Sequence, residues 1–273
     1  MDWAAFLDIL KEAVVITLVV TALMLAIETL NYFLKGKFSS LMKRGRVGQI
    51  AASSALGAVP GCAGGYFSVS MYSTGMFSYG ALLAMMVSTT GDEAFLMLAL
   101  FPKTALIIFV SLFVLGIVVG RAYDAVSIRK RGSAAYLVKT SAGEDNRSLG
   151  KTLLHVLPHA LQIFAWSFGI MLVVAFAGRY VDVPSWIRSH QAVGILAAMI
   201  LGLVPQSGPH MAFVKLFADG VVPLPVLIAS CIVQDGHAGL PLLSCDKGAF
   251  FRGKLIKLVL AALIAGGMTL AGL

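Results

Sequence analysis

Long apolar runs alternate with short polar segments along this chain, and the runs lack the every-second-residue alternation of a barrel strand. The clearest run is Ala105–Gly120, uncharged and flanked by Lys103 and Arg121. Others cover Ala160–Ala177, Leu258 to the C-terminus, and Ala13–Leu34 with Glu28 as its one interruption. Each approaches the roughly 17–25 residues that a bilayer requires of a helix. Between them lie apolar segments broken by Gly and Pro, which a simple spanning helix would avoid. The pattern predicts an all-α polytopic membrane protein.

Residues 56–91 align with 201–236 without a gap, at an offset of 145, and nine of the 36 positions are identical. Four of the identical pairs constrain the backbone: Gly57/Gly202, Pro60/Pro205, Gly75/Gly220 and Gly91/Gly236. Each half then reads as a full helix (13–34, 153–177), two broken segments (48–73 and 77–101; 191–218 and 222–245) and a final helix (104–121, 255–272). The chain divides into a first membrane repeat over 1–121, a polar linker over 122–151 and a second membrane repeat over 152–273.

Composition agrees with lipid as solvent. Hydrophobic residues make up 59% and charged ones 12%, about half the usual charged share of a soluble protein. The charge distribution sets orientation rather than suggesting nucleic acid. Segments 35–47, 121–151 and 247–257 hold 16 Lys and Arg, against four at the opposite ends. The positive-inside rule then places the linker in the cytoplasm and both termini outside an inner (plasma) membrane. An odd number of crossings per half, with 48–73 as a re-entrant hairpin, makes two inverted-topology repeats. That architecture places a substrate site at the repeat interface near mid-membrane. Residues 1–12 carry Asp2, Asp8 and Glu12 against Lys11, unlike the basic start of a signal peptide.

The chemistry-bearing residues gather at four breaks: Val59–Gly65, Thr89–Glu93, Val204–His210 and Gln234–Pro241. An ionisable group inside a membrane costs at least ~2.5 kcal/mol, so function is its default explanation. Asp92, Glu93, His210, Asp235 and His237 are the candidate metal ligands. Carboxylates with imidazoles suit Mn, and also Zn or Fe, and protons would compete for the same groups. Cys62, Thr90, Gln206, Ser207 and Gln234 are candidate substrate contacts. Bland readings stand beside these. Asp235 and His237 could stitch an unwound helix, His210 could cap its helix, and Cys62 could be apolar filler. Lys215 could be a counter-ion or could snorkel. His155 and His159 share a helix face at i, i+4 near the start of a span. The three cysteines form no CxxC pair. The sequence holds no Walker A, GxSxG or HExxH motif, so neither an ATP-driven pump nor one of these enzyme classes is indicated.

The stretches Gly57–Cys62, Ser88–Phe95, Gly202–His210 and Gln234–His237 with Leu240–Leu243 resemble the ten-transmembrane heavy-metal exporters. Members of that family are labelled manganese transporters or arsenic efflux proteins. The resemblance implies ten helical segments and export of a metal or metalloid. Gly91-Asp92-Glu93 departs from the arsenic-type pattern, which favours a divalent cation. The expectation is a non-enzymatic, proton-coupled transporter with no tightly bound cofactor, whose partners are lipid, the metal and protons. A homodimer is compatible with it. Export of an anion or arsenical is the first alternative, and an intramembrane enzyme or scaffold the second.

Overall fold

The computed structural model describes residues 3–34, 45–127 except Cys62 and Thr74, scattered positions of 158–189, and 190–204 and 208–272. Among the described residues all regular structure is helical. Helix α1 is Trp3–Leu34, followed by α2 (Gly45–Ala58), α3 (Ala63–Ser73), α4 (Tyr79–Ser88), α5 (Glu93–Leu100) and α6 (Pro102–Val126). The second half holds α7 (Gln191–Leu201), α8 (Gly208–Ala218), α9 (Leu224–Val233), a 3-10 turn (Gly236–Ala238), α10 (Gly239–Cys245) and α11 (Lys247–Leu270).

Local signals explain the ends. Ser78 N-caps α4 by accepting from the Ala81 amide. Asp246 does the same for α11 through Ala249, and Pro102 opens α6 at its first turn. Helices α6 and α11 are long and apolar enough to cross a bilayer. Leu106, Val110, Val114 and Val118 on α6, and Leu255, Val259 and Leu263 on α11, are exposed at helical spacing. With lipid as solvent, these stripes are the expected outer faces. The stretch Tyr79–Leu100 is also long and apolar, but it is nearly all buried and is two helices around a break.

The helix bounds of the halves coincide at the 145-residue offset. Ala63–Ser73 corresponds to Gly208–Ala218, and Tyr79–Ser88 to Leu224–Val233. Turn hydrogen bonds recur too. Gly75 donates to the Tyr72 carbonyl as Gly220 does to that of Phe217, and Phe101 donates to Met97 as Asp246 does to Leu242. In each half three helices pack together: α2, α4 and α6 in the first, α7, α9 and α11 in the second. Between halves the contacts are reciprocal. Helix α3 packs on the 3-10 turn and α10, and α8 packs on α5. The largest apolar core runs across both halves, from Phe95 and Leu112 to Val226 and Ile232.

Three predicted boundaries are corrected. Helix α1 begins at Trp3 rather than Ala13, so Asp8 and Glu12 are helical. Helix α11 begins at Lys247 rather than 255, because Asp246 caps it there. The basic segment assigned to the cytoplasm is therefore mostly helix, and Lys254 and Lys257 are 3% and 0% exposed. Helix α6 continues through Val126 into the predicted linker, and 128–151 lies outside the described residues, as do His155 and His159. Lys215 is a counter-ion: its Nζ pairs with Glu12 at 2.8 Å and Asp219 at 2.6 Å, tying α8 to α1.

Candidate functional site

The two breaks of the first half hold one another. The Gly61 amide donates to the Gly91 carbonyl at 3.1 Å, and the Thr90 amide to that of Gly57 at 3.2 Å. Irregular backbone at membrane depth is tolerated only when protein buries it, and residues 87–97 are all buried. Gly91 and Gly236 turn the chain with φ of +55° and +53°, in the left-handed region that glycine reaches without strain. The residues that end α4 and α9, Thr89 and Gln234, both become extended. These two equivalent positions also touch each other: Gln234 Nε2 donates to the Thr89 carbonyl at 2.5 Å.

A buried ion cluster sits at this place. Asp235 Oδ1 pairs with Lys257 at 2.6 Å, and Asp235 Oδ2 with Lys254 at 2.5 Å. Lys257 also donates to the carbonyls of Met86, at 2.6 Å, and Gln234. Lys254 donates to those of Gly202, at 2.5 Å, and Val233, at 3.1 Å. These carbonyls belong to the C-terminal ends of α4, α9 and α7, where the helix dipole favours a cation. Both lysines come from α11, one turn apart. Two ammonium groups thus neutralise one carboxylate and satisfy four carbonyls that the breaks leave free.

Beside the cluster stand buried polar atoms that lack hydrogen-bond partners: Thr90 Oγ1, Glu93 Oε2, His210 Nε2 and Gln234 Oε1. Native interiors leave few such atoms, and a ligand is one explanation for them. Glu93 and His210 are 1% and 0% exposed, and His210 Nδ1 lies 2.8 Å from Ser230 Oγ. Both lie within electrostatic reach of Lys257, and Cys231 within reach of Glu93. Glu93 begins α5 and His210 is in the first turn of α8, two helices in contact. Their equivalents at the 145 offset are Ala238 and Gly65, and these abut: a Cβ built on Gly65 would fall 2.5 Å from that of Ala238.

The sequence-predicted residues distribute as follows. Asp92, Glu93, Thr90, His210, Gln234 and Asp235 are all buried at the breaks, so Asp92-Glu93 is not an exposed loop. Asp92 is engaged in interactions of its own. His210 is helical and bonded to Ser230 rather than capping its helix. His237 lies in the 3-10 turn, with its side chain outside the described residues, and Cys62, Gln206 and Ser207 are wholly outside them. Among the described residues no three His, Cys, Asp or Glu side chains converge as a metal site. Sequence reasoning missed Lys254, Lys257, Ser230 and Cys231. The signal for the lysines was their i, i+3 spacing in a helix whose counterparts, Phe109 and Leu112, are core residues.

The model of one protein family, described as "Putative, 10TM heavy-metal exporter", matches residues 5–177 and 160–268. No curated protein and no solved structure matches the chain. The matched segments take in both halves and all four breaks, so the chain belongs to this heavy-metal exporter family and is a membrane transport protein.

Proposed function

We propose that the protein exports a divalent transition metal, with manganese the first candidate, by proton-coupled alternating access between two inverted repeats. The observation that carries the reading is the pair of orphaned atoms Glu93 Oε2 and His210 Nε2, one from each half, on two helices that pack together. A carboxylate and an imidazole suit Mn, Fe or Zn. Both bind metal only when deprotonated, so metal entry displaces protons and supplies a route for coupling. Thr90 and Gln234 offer further oxygens, and Asp92, His237, Cys62, Gln206 and Ser207 stand on the same breaks. Asp235 we assign to the lysine cluster rather than to the metal, because both its oxygens already face ammonium groups.

Setting aside the two buried lysines leaves 14 basic residues against four, which still favours a cytoplasmic linker, outside termini and a plasma-membrane location. A second reading, export of a trivalent arsenical, draws on the buried Cys231 within electrostatic reach of Glu93, since thiolate is a soft ligand. A free oxyanion is less well served, because Lys254 and Lys257 are spent on carbonyls and Asp235, and Lys215 on Glu12 and Asp219.

Inside-out vesicles with an imposed pH gradient test the reading. Saturable Mn²⁺ uptake is expected, and Glu93→Gln is expected to lower it about 100-fold or more while the protein stays monodisperse, as loss of a metal ligand would. Arsenite uptake that Cys231→Ser abolishes and Glu93→Gln leaves intact would replace the metal by the arsenical.

A further inference from the structure

The surroundings of Lys257 are those of a bound metal cation rather than of a simple ion pair. Its Nζ faces three oxygens: the carbonyls of Met86 and Gln234 and the Asp235 carboxylate. Met86 is in the last turn of α4, from the first half, and Gln234 ends α9, from the second. Lys254 repeats the arrangement with the carbonyls of Gly202 and Val233 and the other Asp235 oxygen. Carbonyls at half-helix C-terminal ends, joined by a carboxylate, are the donor set with which broken-helix transporters hold a hard monovalent cation. Neutralising Asp235 alone would require one ammonium and no carbonyls. Here two ammonium groups share it, and each takes two carbonyls as well.

The equivalent place in the first half has none of this. Phe109 and Leu112 replace the lysines, Thr90 replaces Asp235, and the Thr90 hydroxyl lacks a partner. The cage is thus a feature of the second half alone, although one of its oxygens comes from the first.

We propose that the oxygens around Asp235 form an alkali-cation site whose cations are carried by the chain itself, with the Lys257 and Lys254 ammonium groups standing where sodium or potassium would bind. The tethered cations hold the C-terminal ends of α4, α7 and α9 to α11, so the broken helices stay joined without a dissolved ion. This concerns the scaffold beside the substrate site, and it holds whichever ion is exported.

Removing the tether tests it. The full-length protein and its Lys257→Ala variant are purified in detergent, and thermal unfolding is followed in sodium, potassium and choline chloride at equal ionic strength. The wild-type midpoint is expected to be the same in all three salts. Lys257→Ala empties the cage, so its midpoint should be lowest in choline and should rise saturably with sodium or potassium, by about 3 °C or more. Lys257→Met fills the same space without charge and should show no alkali response. If Lys257→Ala does not fold, Lys254→Ala carries the same comparison, since Asp235 there keeps Lys257. A folded alanine variant indifferent to alkali cations, or a wild type that responds as the variant does, overturns the proposal.

Discussion

Helices α6 and α11 occupy equivalent places in the two halves, yet one is apolar where the other is charged. Phe109 and Leu112 of α6 pack in the shared core, while Lys254 and Lys257 of α11 reach the ends of three broken helices. The backbone around them is repeated down to the left-handed glycines at 91 and 236. The helix bounds correspond across the two halves, but the buried charged residues do not. The first half supplies the carboxylate Glu93. The second supplies His210 and an ion cluster that satisfies the free carbonyls.

Single substitutions in the two halves test this contrast. The largest effect is expected at Asp235→Ala, which leaves two buried ammonium groups without their carboxylate and should cost about 3–5 kcal/mol in a denaturant titration. Its counterpart Thr90→Ala removes a hydroxyl that has no partner and should cost well under about 1 kcal/mol. Equal losses at the two sites would remove the asymmetry. Next comes Leu112→Ala on α6, a buried apolar truncation expected to cost about 2–4 kcal/mol by the same titration. An intermediate effect belongs to Tyr72→Phe. It removes the 2.9 Å hydrogen bond to Asp246 that joins α3 to the start of α11, and should cost about 1 kcal/mol. The smallest is Glu12→Gln: this half-exposed partner of Lys215 leaves Asp219 in place, and about 0.5 kcal/mol or less is expected.

The breaks were legible because glycine and proline mark backbone that cannot continue as a helix. Pro60, Gly91, Pro205 and Gly236 located them, and the gapless offset carried through to the helix ends. The burial of Asp92, Glu93 and Asp235 followed from charge set in apolar sequence. The lysine cluster was not legible in the same way. Basic residues at the start of an apolar helix resemble interfacial anchors, and hydropathy places the onset of α11 near 255. The cap at Asp246 moves it to Lys247 and carries Lys254 and Lys257 inward. The partner that reveals their role, Asp235, stands 19 and 22 residues away in sequence, across a turn that only the tertiary structure closes.

Anomalous diffraction from crystals soaked in manganese would locate the metal. A peak is expected between α5 and α8, within coordination distance of Glu93 and His210, and it should disappear in Glu93→Gln. A peak within the Asp235 oxygens, or away from all four breaks, would contradict it.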